Sequence, residues 1–163
     1  MKKIILSLLL AVVSMGAFAQ FEKGTKYVNA SLTGFGLDYC KAGGFHLGVG
    51  AGVGYFVADS WMLLGQLGWN HQDSANEFTL GAGARYYLKD NGLFFGGGLR
   101  YGLNSIGGDA PVAHNAYLPI EAGYCFYLND HVSIEPAAFV DMCLNHFKDY
   151  TKFGLKVSFG YYF

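Results

Sequence analysis

Apolar residues alternate with small or polar residues along most of the chain. The clearest stretch covers residues 45–57, where every second residue is apolar and most of those between them are glycine. Successive side chains of a β-strand point to opposite faces, so this period gives one apolar face and one nearly empty face. A helix would spread the glycines over all its faces and lose about 1 kcal/mol at each. The pattern therefore predicts a β-strand.

The same period of two recurs in seven other stretches. The predicted strands are a weaker first one near residues 26–35, followed by 45–57, 61–69, 78–88, 93–101, 118–128, 132–142 and 155–163. An even number of antiparallel strands can close on itself. We therefore predict an all-β fold, an eight-stranded antiparallel up-and-down barrel.

A short aromatic repeat orients these strands. The segment at residues 55–59 recurs at 86–90 and 126–130, and its aromatic part returns at 160–163. Each internal copy leads into Asp, Asn or Gly, the residues that tight hairpins require. The opposite connections are expected to be longer, at about residues 36–43, 70–76, 104–115 and 144–151. Short turns on one side and longer loops on the other are typical of outer-membrane barrels.

Composition helps to decide which face of the barrel is outside. Apolar residues make up 52% of the chain and charged residues only 14%, whereas a soluble domain carries about 25% charged residues. A soluble, lipocalin-like barrel would need a charged outer face, and here the non-apolar face consists mainly of Gly, Ser and Thr. In a membrane barrel that face would instead fill a narrow lumen, because eight strands enclose little more than their own side chains.

The aromatic residues of the apolar face favour the membrane alternative. They form one group near the short turns (Tyr55, Trp61, Tyr86, Phe95, Tyr124, Phe126, Tyr161) and another near the longer loops (Phe45, Trp69, Phe78, Tyr101). Between Trp61 and Trp69 a strand tilted by about 45° rises about 19 Å, close to the apolar band of about 25 Å. We therefore predict two aromatic girdles in contact with lipid.

The N-terminus has the pattern of a cleaved signal peptide. Lys2 and Lys3 precede an apolar run, and Ala17 and Ala19 have the spacing of a cleavage site before Gln20. The run is shorter than the roughly 20 residues of a spanning helix. We expect residues 1–19 to be removed, leaving residues 20–163 as one barrel domain. Loss of the two lysines changes the net charge from −1 to −3.

In these features the chain resembles the small bacterial outer-membrane β-barrels, a family that includes outer membrane protein X and the transmembrane domain of outer membrane protein A. The resemblance covers residues 20–163 and implies insertion into the outer membrane of a Gram-negative cell envelope. It also implies a C-terminal signal for the insertion machinery. The corresponding positions are Lys156, Ser158, Tyr161 and Phe163, with serine where the family usually has glycine.

Charged residues on the predicted inner face are the main candidates for function. They are three cations and three carboxylates: Arg85, Arg100, Glu121, Glu135, Asp141 and Lys156. An isolated buried charge is very costly, so these groups should pair. Strand register places Arg85 opposite Gly96 and Arg100 opposite Gly81. Counting from the short turns, we expect Arg100 at the depth of Glu121, and Arg85 at the depth of Glu135.

Other reactive residues give weaker signals. His46 is expected to fill the lumen, whereas His71, His114 and His146 are expected in three different long loops, where a metal site is one alternative. His71-Gln72-Asp73-Ser74 and His131-Val132-Ser133 contain the residue types of a hydrolase. An odd count of cysteines, Cys40, Cys125 and Cys143, predicts no essential disulfide. No residue pattern indicates a cofactor.

Three functions are compatible with these features. The first is a non-enzymatic outer-membrane protein with a structural or surface-interaction role and a lumen plugged by salt bridges. The second is a narrow, porin-like pore or ion channel, and the third is an enzyme that modifies lipid A. The expected partners are outer-membrane lipid, lipopolysaccharide and the insertion machinery, and a monomer is expected. Nucleic acid is excluded as a partner because no basic patch exists.

Overall fold

The computed structural model describes residues 21–33, 46–72, 75–88, 91–106, 113–145 and 151–163. The predicted signal peptide and its cleavage residues Ala17, Ala19 and Gln20 lie outside these ranges, as do Cys40, Phe45 and His146. None of the described residues forms a helix of the length and apolarity needed to cross a membrane.

Eight antiparallel strands form one closed sheet. They are β1 (Lys26–Thr33), β2 (His46–Ala58), β3 (Trp61–Gln72), β4 (Ala75–Tyr87), β5 (Leu93–Ile106), β6 (Ala113–Tyr124, continued at Phe126–Tyr127), β7 (Val132–Cys143) and β8 (Lys152–Tyr162). Each strand pairs with its neighbour in sequence, and β1 also pairs with β8, which closes the barrel. The predicted eight-stranded up-and-down barrel is confirmed.

Two prolines interrupt the ladders of this sheet. The register between β6 and β7 places Tyr124 opposite Pro136, next to the break in β6. The register between β5 and β6 skips Gly98 and Leu99, and Gly98 lies opposite Pro119. Proline has no backbone N–H, so each site lacks one ladder hydrogen bond. The register is the same on both sides of each of these two breaks.

The connection between β3 and β4 is shorter than predicted. The sequence suggested a long loop over residues 70–76, but His71 pairs with Asn76 and Gln72 with Ala75. Only residues 73 and 74 therefore lie between the two strands. The prediction was wrong because the polar side chains were interpreted as a loop. The two strands stay paired through backbone hydrogen bonds, which do not need apolar side chains and therefore extend beyond the apolar band.

The outer surface of the barrel is apolar. Large apolar side chains that are about 40% to 60% exposed include Val53, Tyr55, Trp61, Leu63, Leu67, Trp69, Phe78, Leu80, Phe95, Leu99, Tyr101, Ile120, Phe159 and Tyr161. The buried polar and charged side chains point the other way, into the lumen. This is the reverse of a soluble protein and corresponds to a barrel whose outside contacts lipid.

Two inward-facing glycines let β4 and β5 approach each other closely. Gly83 pairs with Gly98, and a Cβ atom added to Gly98 would lie 2.6 Å from the Cα of Gly83. That contact is with backbone, which cannot move aside as a flexible side chain can. The neighbouring Gly97 faces outward, where an added Cβ would meet only the carbonyl oxygen of Pro119, at 3.5 Å.

These two glycines provide a matched pair of substitutions. Gly98→Ala should lower the free energy of unfolding by about 1–3 kcal/mol, because it overpacks the wall of the barrel. Gly97→Ala should change it by less than about 0.5 kcal/mol. Urea unfolding of both variants in lipid vesicles measures the difference, and equal effects would contradict the close approach of the two strands.

Candidate functional site in the barrel lumen

Aromatic rings fill the short-turn half of the lumen. In each copy of the aromatic repeat the first ring faces outward and the second faces inward, since neighbouring residues of a strand point to opposite faces. The inward rings are Phe56, Tyr87, Tyr127 and Tyr162; Phe56, Tyr87 and Tyr162 are at most 1% exposed. The repeat therefore builds the lipid girdle and the filling of the lumen at the same level.

Three further rings complete this group, which we call the aromatic plug (Phe21, Tyr27, Phe56, Tyr87, Phe94, Tyr127 and Tyr162). Phe21 comes from the segment before β1 and stacks on Tyr87 with a centroid distance of 4.2 Å. The backbone N–H of Ser60 donates to the carbonyl oxygen of Phe21 at 2.7 Å. This bond holds the N-terminal segment against the short-turn mouth of the barrel.

Arg85 lies directly beside the aromatic plug and is 1% exposed. Its Nε donates to Glu121 Oε1 at 2.9 Å, and its Nη1 donates to Glu135 Oε2 at 2.8 Å. Nη1 also donates to the Tyr87 hydroxyl at 3.0 Å. The guanidinium carbon is 4.2 Å from the centroid of the Phe94 ring, a cation–π contact. One buried cation thus joins two carboxylates and the rings of the plug.

Glu135 is completely buried and has several hydrogen-bond donors besides Arg85. The hydroxyls of Tyr27 and Tyr162 each donate to this carboxylate at 2.7 Å, and Ser133 Oγ donates at 2.8 Å. A buried carboxylate is tolerated only when its oxygens are paired and hydrogen-bonded. Here both oxygens are occupied, so the plug and the ion pair form one network.

Three more ion pairs extend from this network toward the longer loops. Lys156 pairs with Glu121, Arg100 with Asp141 at 2.6 Å, and Lys152 with Glu77 at 2.8 Å. The Tyr117 hydroxyl also donates to Glu77, at 2.6 Å. Counted together, four cations balance four carboxylates among the described luminal residues. The lumen therefore has no net charge to attract ions of one sign.

The structure places all six sequence-predicted charges in this lumen. Arg85 lies opposite Gly96 and Arg100 opposite Gly81, in the predicted register. Arg100 was expected at the depth of Glu121, but the register places Glu121 opposite Gly96 and Arg100 opposite Tyr117, and Arg100 bonds to Asp141 on β7. Counting from the short turn assumed that β5 and β6 start at the same level, whereas β6 continues to Tyr127, beyond the partner of Leu93.

Glu77 and Lys152 were not among the charges predicted from the sequence. Each lies at or near the end of a strand. The alternation of apolar residues that marks the strand in the sequence begins only one or a few residues later. Counting along the strands could have found them. Glu77 is an even number of residues from Arg85, and Lys152 is an even number from Lys156, so each side chain points to the same inner face as its predicted neighbour. The sequence analysis also did not predict the aromatic plug. The adjacent aromatic residues in each copy of the repeat could have indicated it, because the second residue of each pair must face the lumen.

The long-loop half of the lumen contains a polar cavity of about 80 Å³. Its lining includes Ser31, Gln66, Asn70, Thr79, Arg100, Asp141, Lys152 and Lys156. Neither Arg85 nor a ring of the aromatic plug is among its lining residues. The lumen is therefore polar and partly open in one half and densely packed in the other.

The described histidines do not assemble into a metal site. His71 and His114 were expected in loops, but they lie on β3 and β6 and their rings bond to Asn76 and Tyr101. His131 Nδ1 donates to the carbonyl oxygen of Tyr162 at 2.9 Å. Within the described ranges, no group of three or more His, Cys, Asp or Glu side chains could hold a metal ion.

The remaining candidates are also separated from one another. Ser133 is buried and donates to Glu135, whereas the ring of His131 bonds to the carbonyl oxygen of Tyr162. Cys125 and Cys143 are free, buried thiols. In the C-terminal segment, Ser158 is buried in the lumen, whereas Tyr161 and Phe163 are about half exposed on the outside.

Comparison with known proteins identifies the fold. No protein-family model matches the sequence, and no curated protein matches it. The N-terminal β-barrel domain of OprF from Pseudomonas aeruginosa is similar in structure, with a TM-score of 0.68 and 16% identity, covering 86% of this chain and 98% of that one.

Two further barrels are similar. For Neisserial surface protein A (NspA) the TM-score is 0.65 and the identity 12%, covering 85% of this chain and 96% of that one. For Ail, the attachment invasion locus protein of Yersinia pestis, the values are 0.55 and 14%, covering 86% and 99%. The chain has the fold of the small eight-stranded outer-membrane β-barrels, and its apolar outer surface fits that location.

The Arg85 network predicts a large and specific loss of stability. Arg85→Met should lower the free energy of unfolding by about 3–5 kcal/mol, because it leaves Glu135 buried without a cation. Arg100→Met should cost less, because Asp141 borders the polar cavity, where water can hydrate the carboxylate that loses its cation. Both are measured by urea unfolding in vesicles.

A second substitution separates lost charge pairing from lost packing. Glu121 keeps Lys156 in the Arg85→Met variant, whereas Glu135 loses the one cation that it has among the described residues. Adding Glu135→Gln should therefore restore part of the stability. If the double variant is no more stable than Arg85→Met alone, the buried charge is not the cause.

Proposed function

We propose that this chain, an eight-stranded barrel of the outer-membrane type, is a non-enzymatic integral outer-membrane protein that does not conduct. Its lumen is closed by side chains, and its role is structural or depends on the surface that it presents outside the cell. The longer connections lie on that outer side, since outer-membrane barrels keep their short turns in the periplasm.

The continuous packing of the aromatic plug against Arg85 carries this proposal. Side chains from β1, β2, β4, β5, β6 and β8 meet there, and Phe21 adds a ring from outside the strands. An eight-stranded barrel has no spare width once such rings are in place. An ion would have to displace a charged group that is hydrogen-bonded on several sides, which makes passage unfavourable.

A narrow pore is the second candidate, and the cavity in the long-loop half favours it. That cavity of about 80 Å³ is lined by charged and amide side chains, as the entrance of an aqueous path would be. If the plug opened, Arg100, Glu121 and Lys156 would line the path and would be candidates for ion selectivity.

Lipid modification is less favoured, because its candidate residues do not form a catalytic arrangement. A nucleophile must lie within hydrogen-bond reach of its base. His71 bonds to Asn76, and Ser133 bonds to a fully buried carboxylate. Asp73 and Ser74 lie outside the described residues.

The proposed partners follow from the outer surface and the C-terminal pattern. Outer-membrane lipid and lipopolysaccharide would contact the apolar girdles. The insertion machinery would recognise Lys156, Ser158, Tyr161 and Phe163 during assembly. We propose a monomer without a cofactor, exported by a cleaved signal peptide.

Planar-bilayer recording tests the closed lumen. The folded protein should insert without discrete current steps. Tyr87→Ala combined with Tyr162→Ala should raise the leak current, because two rings of the plug are removed. Tyr86→Ala combined with Tyr161→Ala removes two neighbouring rings that face lipid, and should leave the barrel silent. Repeatable current steps from the unmodified protein would replace the proposal with a pore.

A further inference from the structure

The polar cavity in the long-loop half of the lumen has an excess of positive charge. The charged side chains of its lining are three cations and two carboxylates: Arg100, Lys152, Lys156, Glu77 and Asp141. The carboxylate that pairs with Lys156 is Glu121, which is not among the lining residues and also pairs with Arg85. The described lumen is therefore balanced as a whole, whereas the lining of the cavity lacks one negative charge.

The cations of the cavity have more hydrogen-bond donors than protein partners. An ammonium group has three N–H donors. Among the described residues, Lys152 has one carboxylate partner, Glu77, and Lys156 has one, Glu121. The Nη2 group of Arg100 has a long contact of 3.5 Å with Gln66 Oε1. Donors therefore remain on all three cations for a bound solute or for water.

Asp141 has the opposite requirement, because it has an acceptor without a donor. This side chain is buried in the lumen, and its Oδ2 accepts from Arg100 Nη1 at 2.6 Å. Its other oxygen, Oδ1, has no hydrogen-bond partner among the described residues. Buried polar atoms are nearly always hydrogen-bonded, so Oδ1 requires a donor. Both oxygens belong to one carboxylate, so this donor would lie close to the Arg100 guanidinium.

The size and the lining of the cavity limit what it can hold. Its volume is about 80 Å³, and a single water needs about 10–15 Å³ of such space. The cavity therefore admits a solute of only a few heavy atoms. Tyr117 and Phe139 contribute aromatic rings to the lining, so part of the wall suits carbon atoms of a ligand.

We propose that this cavity binds a small 2-hydroxycarboxylate anion, such as glycolate. The carboxylate of the ligand supplies the missing negative charge and accepts from the free N–H groups of Arg100 and the two lysines. Its hydroxyl, on the neighbouring carbon, donates to Asp141 Oδ1. Ligand binding goes beyond the proposed structural role. Because the other half of the lumen is packed, the ligand is held in the cavity and does not pass through it.

Isothermal titration calorimetry on the folded protein in neutral detergent micelles tests this proposal with three ligands of equal size. Glycolate should bind about tenfold more tightly than propionate, which has a methyl group in place of the hydroxyl and cannot donate to Asp141. Glycolate should also bind more tightly than glycine. Glycine has an ammonium group in place of the hydroxyl and therefore brings no net negative charge to the cavity.

A pair of lysine substitutions locates the site in the lumen. Lys156→Met removes the excess charge, while Glu121 keeps its pairing with Arg85. This variant should bind glycolate and propionate at least about fivefold more weakly. Lys26→Met is the matched control, because Lys26 is an exposed lysine at the start of β1, outside the cavity. The control should bind both ligands as the unmodified protein does.

Four results would overturn the proposal. They are absence of glycolate binding, equal affinity for glycolate and propionate, tighter binding of glycine than of glycolate, and equal effects of the two lysine substitutions. Calorimetry in micelles does not measure conduction, so any of these results would leave the closed lumen untouched. Current steps in a planar bilayer would in turn contradict the closed lumen without removing the binding site.

Discussion

A single buried cation organises the interior of this barrel. Arg85 has 1% of its surface exposed and binds Glu121 and Glu135 at the same time. All three groups are buried, and a buried charge without its partner is costly, so each of these groups requires the others. Gly96, opposite Arg85, makes the arrangement possible, since a Cβ there would lie 2.7 Å from Glu121 Oε1. The glycines of the inner face thus leave space in the lumen for a few long side chains.

The aromatic repeat serves both sides of the wall. In Tyr86-Tyr87 the first ring packs on Trp61 in the outer girdle, at 4.9 Å between centroids, and the second hydrogen-bonds to Arg85. The same division applies to Tyr161 and Tyr162. Alternation alone produces it, because two neighbouring aromatics at the end of a strand must face opposite directions. The outward-facing aromatic girdle and the buried rings in the lumen are therefore encoded by the same four dipeptides.

The sequence predicts the barrel better than it predicts the contacts across the lumen. Alternation and glycine spacing are local, so the strand order and the register of Arg85 with Gly96 followed from them. The bond between Arg100 and Asp141 depends on how β5 and β7 face each other across the tube, which no local pattern describes. Residues 70–76 were misassigned for a similar reason, since pairing through the backbone does not require apolar side chains. Glu77 and Lys152 could also have been predicted as luminal charges, because the alternation of inward and outward side chains continues to the ends of the strands.

Solvent access to the thiol of Cys125 tests the closed lumen most directly. Cys125 is 2% exposed and its Sγ lies 3.5 Å from the Tyr162 hydroxyl, inside the packed half of the barrel. A small, water-soluble methanethiosulfonate reagent, with the modified site located by peptide mass spectrometry, reports whether water reaches it. A closed lumen predicts that Cys125 stays unmodified in the folded, membrane-inserted protein and reacts fully after unfolding. Modification of the folded protein at the rate of the unfolded chain would contradict the plug.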